Sequence, residues 1–261
     1  FTNIIEVIQD TIEGSDYSLR VHYLDEDADE VKEAVRMCRE HKPMGILFLG
    51  GNIQYFHEEF ELVNVPCVLV TDRADKLGFR NLASVSTDDM AAAEMAVDYL
   101  FDHGHRDIAV IGGDMALSSP SKYRKAGAKR SFIKHGCEFE EESYAVARFS
   151  YESAYNAMNR MLASQRSITA VFAMSDVMAV GAMRAIFDAG LRVPEDISVI
   201  GFDGTLLADY YNPKIVTVCQ GYEKIARKSI DLLFGMIDLN KPATHELVPF
   251  SLKNTESVSS I

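Results

Sequence analysis

The chain has 261 residues, and 48% of them are hydrophobic, which is enough for one large domain or two smaller lobes with packed cores. Its 39 acidic residues outnumber its 26 basic ones, and the resulting net charge of −13 repels nucleic-acid phosphates and excludes unaided DNA binding. No stretch approaches the ~20 apolar residues of a membrane span, and residues 1–6 lack the features of a secretion signal, so we expect a cytoplasmic chain with no membrane partner.

Short apolar runs alternate with amphipathic helical stretches along the chain. Continuous Val, Ile and Leu runs are typical of strands buried on both faces. Strand–helix alternation predicts an α/β fold of right-handed βαβ units, with mostly parallel sheets flanked by helices. Up to residue 103 we predict a helix over residues 3–13, a strand over 18–24, a helix over 27–41, strands over 45–49, 67–70 and up to 85, and a helix over 88–103. Next come a strand over 108–111, a helix that carries Arg124, a short strand over 144–148, a helix over 151–164, a strand over 170–173 and a helix over 176–189. The chain then continues with strands over 197–200 and 215–218, a helix over 222–238 and a polar tail over 254–261.

The ends of several helices carry recognisable signals. Asp88 suits the N-cap of its helix, and Gly104 suits the position just beyond the end of the same helix. Gly190 follows another helix in the same way, and Pro194 blocks its continuation. No strand precedes the helix over residues 3–13, although a βαβ order calls for one, so we expect the first strand to be absent.

The sequence lacks the common catalytic motifs. It has no Gly-x-Ser-x-Gly elbow, no Gly-x-x-x-x-Gly-Lys-Ser/Thr loop and no His-Glu-x-x-His helix, so we predict neither enzyme activity nor a cofactor. His103 and His105 flank a glycine, and this arrangement favours capping and surface roles over a metal site. No two cysteines have metal-ligand spacing, and we expect free thiols in a reducing compartment at Cys38, Cys67, Cys137 and Cys219.

Polar side chains gather after the predicted strands, at their carboxyl ends. Open parallel sheets bind ligands at this edge, because strand ends and helix N-termini converge there. Carboxylates accept hydrogen bonds from hydroxyls, an arginine donates through a rigid fork, and an aromatic face covers the C–H side of a ring. This combination suits a polyhydroxylated small molecule. The candidate residues are Asp72, Arg73, Asp88, Asp89, Arg124, Phe149, Ser175, Asp176 and Asp203.

Several of these residues also fit structural roles. Asp88 and Asp176 suit helix N-caps, and from the residues alone we favour the cap for both. Asp72 and Arg73 are equally compatible with a local ion pair or a turn. Asp203 also fits an ordinary turn aspartate.

Five segments together resemble the lactose-repressor/galactose-repressor (LacI/GalR) family of bacterial regulators. The most specific is GLRVPEDISVIGFD at residues 190–203, followed by GHRDIAVIG at 104–112 and TAVFAMSDVMAVGAM at 169–183. VPCVLVTDR at 65–73 and PKIVTV at 213–218 are similar to two further family segments. The resemblance runs through nearly the whole chain in the order of the family.

The resemblance implies a periplasmic-binding-protein-like type I fold, in which two α/β lobes joined by three crossings hold a ligand in a cleft. By analogy the lobes comprise residues 1–104 plus 221–241 and residues 105–220 plus 242–261. The crossings are expected near residues 103–107, 220–222 and 239–242.

The resemblance also assigns ligand-binding roles by position. Asp203 matches the aspartate of the family's Gly-(Phe/Tyr)-Asp motif, and Arg124 matches the arginine of its Arg-x-x-Gly motif. Asp89 matches the Asp or Asn at the start of the helix that leads to Gly-His-Arg. Phe149 and Phe1 occupy positions where the family places aromatic residues.

Two positions depart from the family pattern. Ser175 stands before Asp176 where an Asn is usual, and Gly204 replaces a frequent second Asp or Asn. Both changes argue against naming a particular sugar.

The function that the resemblance implies is the effector-binding and dimerisation core of a transcriptional regulator. A sugar, sugar phosphate or nucleobase-like effector would shift the population between open and closed lobes, and a homodimer would pass this change to paired helix-turn-helix heads. We expect no helix-turn-helix domain in this chain, so operator DNA would be bound only through the missing N-terminal domain. The alternative is a periplasmic or lipid-anchored sugar-binding protein of a transporter, which shares the fold. An upstream helix-turn-helix would support the regulator, whereas an upstream signal peptide would support the transporter component.

Overall fold

A computed structural model describes residues 1–25, 27–164 and 167–261. The chain forms two compact units, the first made of Phe1–Thr87 and Gly221–Pro249 and the second of Asp88–Gln220 and Phe250–Ile261. The strands are β1 (Ile46–Leu49), β2 (Cys67–Val70), β3 (Leu82–Thr87), β4 (Ile108–Gly112), β5 (Tyr144–Val146), β6 (Ala170–Ala173), β7 (Ser198–Asp203), β8 (Val216–Cys219), β9 (His245–Val248) and β10 (Ser251–Lys253). The α-helices are α1 (Thr2–Ile12), α2 (Glu30–His41), α3 (Asp89–Asp102), α4 (Ser119–Lys134), α5 (Tyr151–Ala163), α6 (Asp176–Asp188), α7 (Leu206–Tyr210) and α8 (Tyr222–Leu239).

The first unit is built on a parallel four-stranded sheet in the order β1-β2-β3-β9. Both of its faces are covered, because alternate residues of β2 enter different cores. Val68 and Val70 pack with α1 and α8, whereas Cys67 and Leu69 pack with α2 and the phenylalanines around Phe60. This burial on both faces explains why the strand has a continuous apolar sequence.

The second unit is built on a six-stranded sheet in the order β10-β8-β7-β6-β4-β5. All neighbouring strands are parallel except β10, which is antiparallel to β8. The helices pack in two close pairs, α3 with α4 and α5 with α6. The prediction of an α/β fold with mostly parallel sheets and flanking helices is confirmed, and no helix among the described residues is long and apolar enough to cross a bilayer.

The strand predicted over residues 18–24 is wrong. The segment has no regular secondary structure, and it pairs with neither sheet in the part of the chain that the structure describes. Its sequence alternates apolar residues with Arg20 and His22, and the side chain of Tyr23 is 83% exposed. His22 contacts Glu33 of α2, with Nε2 2.8 Å from Oε1. A chain segment without a neighbouring strand cannot form the ladder of hydrogen bonds that defines a sheet.

The boundary at 220/221 agrees with the analogy, and the other two boundaries between the units differ from it. The chain passes from one unit to the other at residues 87/88, 220/221 and 249/250. Helix α3 was assigned to the first lobe, but it packs closely on α4 and lies in the second unit. Strand β9 was assigned to the second lobe and is paired with β3 in the first unit. In both cases side-chain packing or strand pairing, which the motifs do not encode, sets the boundary.

The predicted polar tail is in fact docked on the second unit. Ser257 is fully buried, and its Oγ donates to the carbonyl of Val199 (2.5 Å) and accepts from the amide of Val216 (2.8 Å). Its carbonyl also accepts from the amide of Val199. The segment lacks periodicity because backbone groups and serine hydroxyls, rather than apolar side chains, hold it in place.

The helix-end signals are confirmed. Asp88 accepts a hydrogen bond from the amide of Ala91 and caps α3, and Gly104 and Gly190 follow their helices with φ angles of 95° and 78°. His105 is buried rather than at the surface. Its Nε2 lies 3.0 Å from the carbonyl of Ser259, so it also holds the C-terminal segment.

Replacement of Ser257 by Ala is expected to destabilise the fold. The change leaves the buried amide of Val216 without its acceptor, and the free energy of unfolding should fall by about 1–3 kcal/mol. Urea denaturation measures this effect. Ser260→Ala is the matched control, because Ser260 is exposed, and it should change the free energy of unfolding little. An equal loss of stability in the two variants would contradict docking through Ser257.

Candidate functional site

A buried ion pair joins α3 to α4 in the second unit. Nε of Arg124 donates to Oδ1 of Asp89 at 2.7 Å, and both side chains are about 5% exposed. Asp89 opens α3 directly after the capping residue Asp88, so these adjacent aspartates have different roles. Buried charges are tolerated when they are paired and hydrogen-bonded, and this pair fixes the arginine at the carboxyl edge of the sheet.

Gly127 allows this pair to form. A Cβ atom at this position would lie 2.1 Å from the carbonyl oxygen of Met90 and 3.0 Å from the amide of Glu94. Only a glycine therefore lets α4 approach the first turn of α3, which carries Asp89. The Arg-x-x-Gly spacing places the arginine about one turn before this contact.

Two further groups fix the guanidinium of Arg124. Nη1 donates to the carbonyl of Met174 at 2.5 Å, directly after β6. The ring of Phe202 lies beneath the guanidinium, with 3.7 Å from Cζ to the ring centroid. A cation over an aromatic face in a dry environment is stabilised by the ring quadrupole.

Asp176 is fully buried and supports the turn that follows β7. Its Oδ2 accepts from the amide (2.7 Å) and the hydroxyl (2.8 Å) of Thr205, and its Oδ1 accepts from the hydroxyl of Thr217 at 2.5 Å. The N-cap role that we favoured for Asp176 is wrong, since Ser175 caps α6 by accepting from the amide of Met178 at 3.1 Å. Burial raises the pKa of Asp176, although the hydrogen bonds from Thr217 and Thr205 act in the opposite direction.

Asp203 ends β7 in an unusual backbone conformation. Its φ is 119°, a value that residues other than glycine rarely adopt, and such strain concentrates at functional sites. Two bonds from Gln220 hold it: Nε2 donates to Oδ1 at 2.6 Å, and the amide donates to the carbonyl of Asp203. The contacts of Asp176 with Thr205 secure the other side of the turn.

The protonation of Asp203 responds to its surroundings. Burial raises the pKa of this carboxyl to about 7, the charge of Arg124 partly offsets the effect, and the charge of Asp176 adds to it. Two carboxylates close together resist ionising at the same time. Asp203 therefore titrates near neutral pH.

Gly204 and Cys219 make a close contact beside Asp203. Gly204 has a φ of 71°, and a Cβ atom there would lie 2.6 Å from Sγ and 2.7 Å from Cα of Cys219. Gly204, which replaces the family's second Asp or Asn, therefore fits against the side chain and main chain of Cys219 without a Cβ.

Phe149 lies on the neighbouring part of the same edge. Its ring is next to Gly113, where an added Cβ would come within 2.9 Å of Cε2, and the side chain is 36% exposed. The hydroxyl oxygen of Ser121 accepts from the amide of Gly113 at 3.1 Å and closes the loop beneath the ring. The second unit thus brings together Phe149, Asp89, Arg124, Ser175, Asp176 and Asp203 at the carboxyl ends of its strands.

The other predicted site residues lie in the first unit. Phe1 is 63% exposed and its ring lies over Gly50, at the end of β1. Asp72 is buried, and its Oδ1 accepts a hydrogen bond from the amide of Arg73 at 2.7 Å. Arg73 also pairs with Asp75, and its Nε lies 3.0 Å from Oδ1.

Sequence reasoning missed several residues that fix the site. Gln220 follows β8 and has the strand-end position that was used to find the other candidates. Thr217 is a polar residue inside an apolar strand, and this is a signal for a buried hydrogen bond. The carbonyl of Met174 and the ring of Phe202 carry no such signal. Within the residues that the structure describes, no three His, Cys, Asp or Glu side chains are placed to hold a metal ion.

The chain is similar to several known proteins. Residues 97–258 match the family described as a periplasmic binding protein-like domain. The chain is 32% identical over its whole length to the HTH-type transcriptional regulator MalR of Clostridium butyricum and covers 78% of it. It is 29% identical to the HTH-type transcriptional repressor PurR of Pasteurella multocida over 91% of the chain and 71% of the repressor. A dimeric Lac repressor with a C-terminal deletion has a TM-score of 0.87 and 25% identity, with 100% of this chain and 94% of that chain covered.

The fold is thus that of a periplasmic-binding-protein-like domain. The chain belongs to the LacI/GalR family of HTH-type transcriptional regulators, as its sequence motifs predicted, and it corresponds to the effector-binding core of that family. The relatives named above are regulators and not enzymes, and the transporter alternative is not favoured.

Gly127→Ala is expected to destabilise the second unit. The added methyl group meets the backbone of Met90, which cannot move aside as a side chain does, so the free energy of unfolding should fall by about 1–3 kcal/mol. Chemical denaturation provides the measurement. Gly235→Ala in α8 is the control, because its Cβ meets only Lys241 Cδ at 3.3 Å and alanine favours helix, so this variant should keep or gain stability. If Gly127→Ala behaves like the control, the close approach of α3 and α4 is not required.

Asp203→Asn is expected to change how stability depends on pH. The pKa of Asp203 is about 7 in the folded protein and about 4 in an unfolded chain, so the folded state holds a proton that the unfolded state has released. The carboxyl therefore lowers the stability of the wild-type protein as pH rises from about 4 to about 7, and Asn lacks this effect. Urea denaturation of both proteins at pH 5, 6, 7 and 8 should show the wild type losing stability relative to the variant. Parallel curves would show that Asp203 titrates normally.

Proposed function

We propose that this chain senses a small metabolite for a transcriptional regulator. The effector binds at the carboxyl edge of the sheet of the second unit, and binding alters the affinity of the full-length protein for operator DNA. DNA is contacted by an N-terminal helix-turn-helix domain of the full-length protein, which acts as a homodimer in the cytoplasm. The net charge of −13 supports a separate DNA-binding part.

The arrangement of Asp203 and Arg124 is the observation that carries this proposal. Both are ionisable groups next to the ends of strands, and each is held by several contacts before any ligand arrives. Fixed polar groups of this kind bind with little loss of side-chain entropy. Neither a nucleophile with an adjacent base nor a cofactor loop was found in the sequence, which supports binding rather than turnover.

Binding becomes regulation when the effector prefers one conformational state. A ligand shifts an equilibrium only by its difference in affinity between the states. Linkage is reciprocal, so an effector that weakens operator binding is itself bound less tightly by the operator complex. The symmetry of a dimer fits the two half-sites of an operator.

A thermal-shift screen with neutral sugars, sugar phosphates, nucleobases and nucleosides tests the proposal. A ligand of this site raises the melting temperature by mass action, and Asp203→Ala should abolish the shift. Arg124→Ala should abolish it as well, but this variant should also be less stable without ligand because it leaves the buried Asp89 unpaired.

Asp102→Asn is the matched control, since Asp102 is exposed at the end of α3, and it should keep the full ligand-induced shift. Conversion of a bound compound into a product, or unchanged binding by both site variants, would contradict the proposal.

A further inference from the structure

We propose that Tyr144 is a positioning residue of this site. Its hydroxyl fixes the start of the loop at Gly113, and this loop holds the ring of Phe149 in the position where it covers a bound ligand. The inference rests on the proposed function and assigns the support of the aromatic part of the site. It is carried by the hydrogen bond of the hydroxyl, by two adjacent glycines and by the contacts that hold the tyrosine ring.

The side chain of Tyr144 runs along the neighbouring strand β4. Tyr144 begins β5, the edge strand of the second sheet, and is in register with Val110. Its side chain therefore lies on the same face of the sheet as Gly112, two residues further along β4. Its Oη donates to the carbonyl of Gly113 at 2.6 Å. The tyrosine thus reaches from the beginning of its own strand to the first residue after β4.

Two adjacent glycines make room for this arrangement. A Cβ atom at Gly112 would lie 2.5 Å from the hydroxyl of Tyr144 and 2.3 Å from Sδ of Met174. A Cβ atom at Gly113 would lie 2.9 Å from Cε2 of Phe149. The first glycine admits the tyrosine hydroxyl and the second admits the phenylalanine ring. Glycine is also the most flexible backbone residue, so a loop that positions a ring here needs bonds that hold it.

Hydroxyl groups hold Gly113 from two elements. Oγ of Ser121 in α4 accepts from its amide at 3.1 Å, and Oη of Tyr144 in β5 donates to its carbonyl. Burial, and next the charge of Asp114, raise the pKa of the Tyr144 hydroxyl, so the group keeps its hydrogen and remains a donor. Replacement of Tyr144 by Phe removes one of these bonds and leaves α4 unchanged.

The ring of Tyr144 is itself held by α4. Nζ of Lys125 lies 4.3 Å from the ring centroid, and Lys125 is buried. A desolvated ammonium group over an aromatic face is attracted by the ring quadrupole. Nζ also lies 2.6 Å from Oε2 of Glu141, which balances its charge. The helix that carries Arg124 therefore also fixes the direction of the tyrosine.

Met174 connects Tyr144 to the arginine. Its Sδ lies 4.0 Å from the tyrosine hydroxyl, and its carbonyl accepts from Nη1 of Arg124. Tyr144 thus lies between the anchor of the arginine and the loop against Phe149. This central place explains why a residue with no direct role in binding matters for the geometry of the site.

A tryptophan reporter tests the inference without a ligand. The chain has no tryptophan, so Phe149→Trp creates a single fluorescent group at the position in question. Phe149 is 36% exposed, which leaves space for the larger ring. In this background Tyr144→Phe should increase acrylamide quenching of the tryptophan and lower its fluorescence anisotropy, because the loop against the ring loses a bond.

Tyr99→Phe is the matched control for this experiment. The hydroxyl of Tyr99 donates to Oδ1 of Asn254 at 2.7 Å, so the variant also removes a tyrosine hydroxyl with a short hydrogen bond in the second unit. It should change neither the quenching nor the anisotropy of the tryptophan.

Binding measurements separate positioning from an effect on stability alone. The probes are glucose, ribose, glucose 6-phosphate and adenosine, and calorimetry gives the dissociation constant of each one that binds. Tyr144→Phe should weaken binding by about three- to tenfold, which corresponds to one lost hydrogen bond. In the Phe149→Ala background the same change should weaken binding much less, because the hydroxyl acts through that ring.

The outcomes separate this inference from the proposed function. Unchanged quenching and anisotropy in the Tyr144→Phe variant overturn the inference, even if its free energy of unfolding falls. An equal loss of affinity with and without the ring of Phe149 also overturns it. No binding of any compound in the thermal-shift screen overturns the proposed function, and the tryptophan measurements then still show whether Tyr144 positions the ring.

Discussion

The buried contact between Arg124 and Asp89 is the interaction on which the site depends. It connects the first turn of α3 to α4, and through the carbonyl of Met174 it reaches the end of β6. Burying two charges is costly unless both are well paired, so this contact contributes more to defining one arrangement of these elements than to net stability. Gly127 supplies the space that the contact requires. Two charged groups whose chemistry alone would assign them to ligand binding are thus also part of the scaffold.

A second layer of polar contacts holds the acidic half of the site. Asp176 bonds to Thr205 and Thr217, and Gln220 bonds to Asp203, so the turn after β7 is held on both sides. These bonds maintain a backbone conformation at Asp203 that a free chain would avoid. They also place two carboxylates near each other. Burial, and next the charge of Asp176, raise the pKa of Asp203, whereas the charge of Arg124 and the bond from Gln220 that supports the strained turn act in the opposite direction.

The sequence predicts much of this arrangement because continuous apolar runs mark buried parallel strands and because motif positions mark Arg124, Asp89 and Asp203. It assigns Asp176 wrongly, since a carboxylate at a helix start looks the same whether it caps its own helix or bonds to a distant turn. Gln220 and Thr217 carry polar signals at and within a strand, but the sequence does not identify their partners, which are 17 and 41 residues away in the chain. The segment over residues 18–24 has strand-like composition, but pairing depends on a neighbour that composition does not reveal. Local sequence patterns thus identify secondary-structure elements and motif residues, whereas long-range polar contacts are identified only from the structure.

The contact between Gly204 and Cys219 restricts how this site can change through mutation. The Cβ of any other residue at 204 would overlap the side chain and Cα of Cys219, so an acidic or amide group there requires a shift of the main chain. Gly204 directly follows β7, and Asp203 before it is in register with Cys219 on the adjacent strand β8. Because part of this overlap is with the main chain at 219, exchanging the side chain there does not make room, and a second carboxylate beside Asp203 requires the backbone of the turn or of β8 to move.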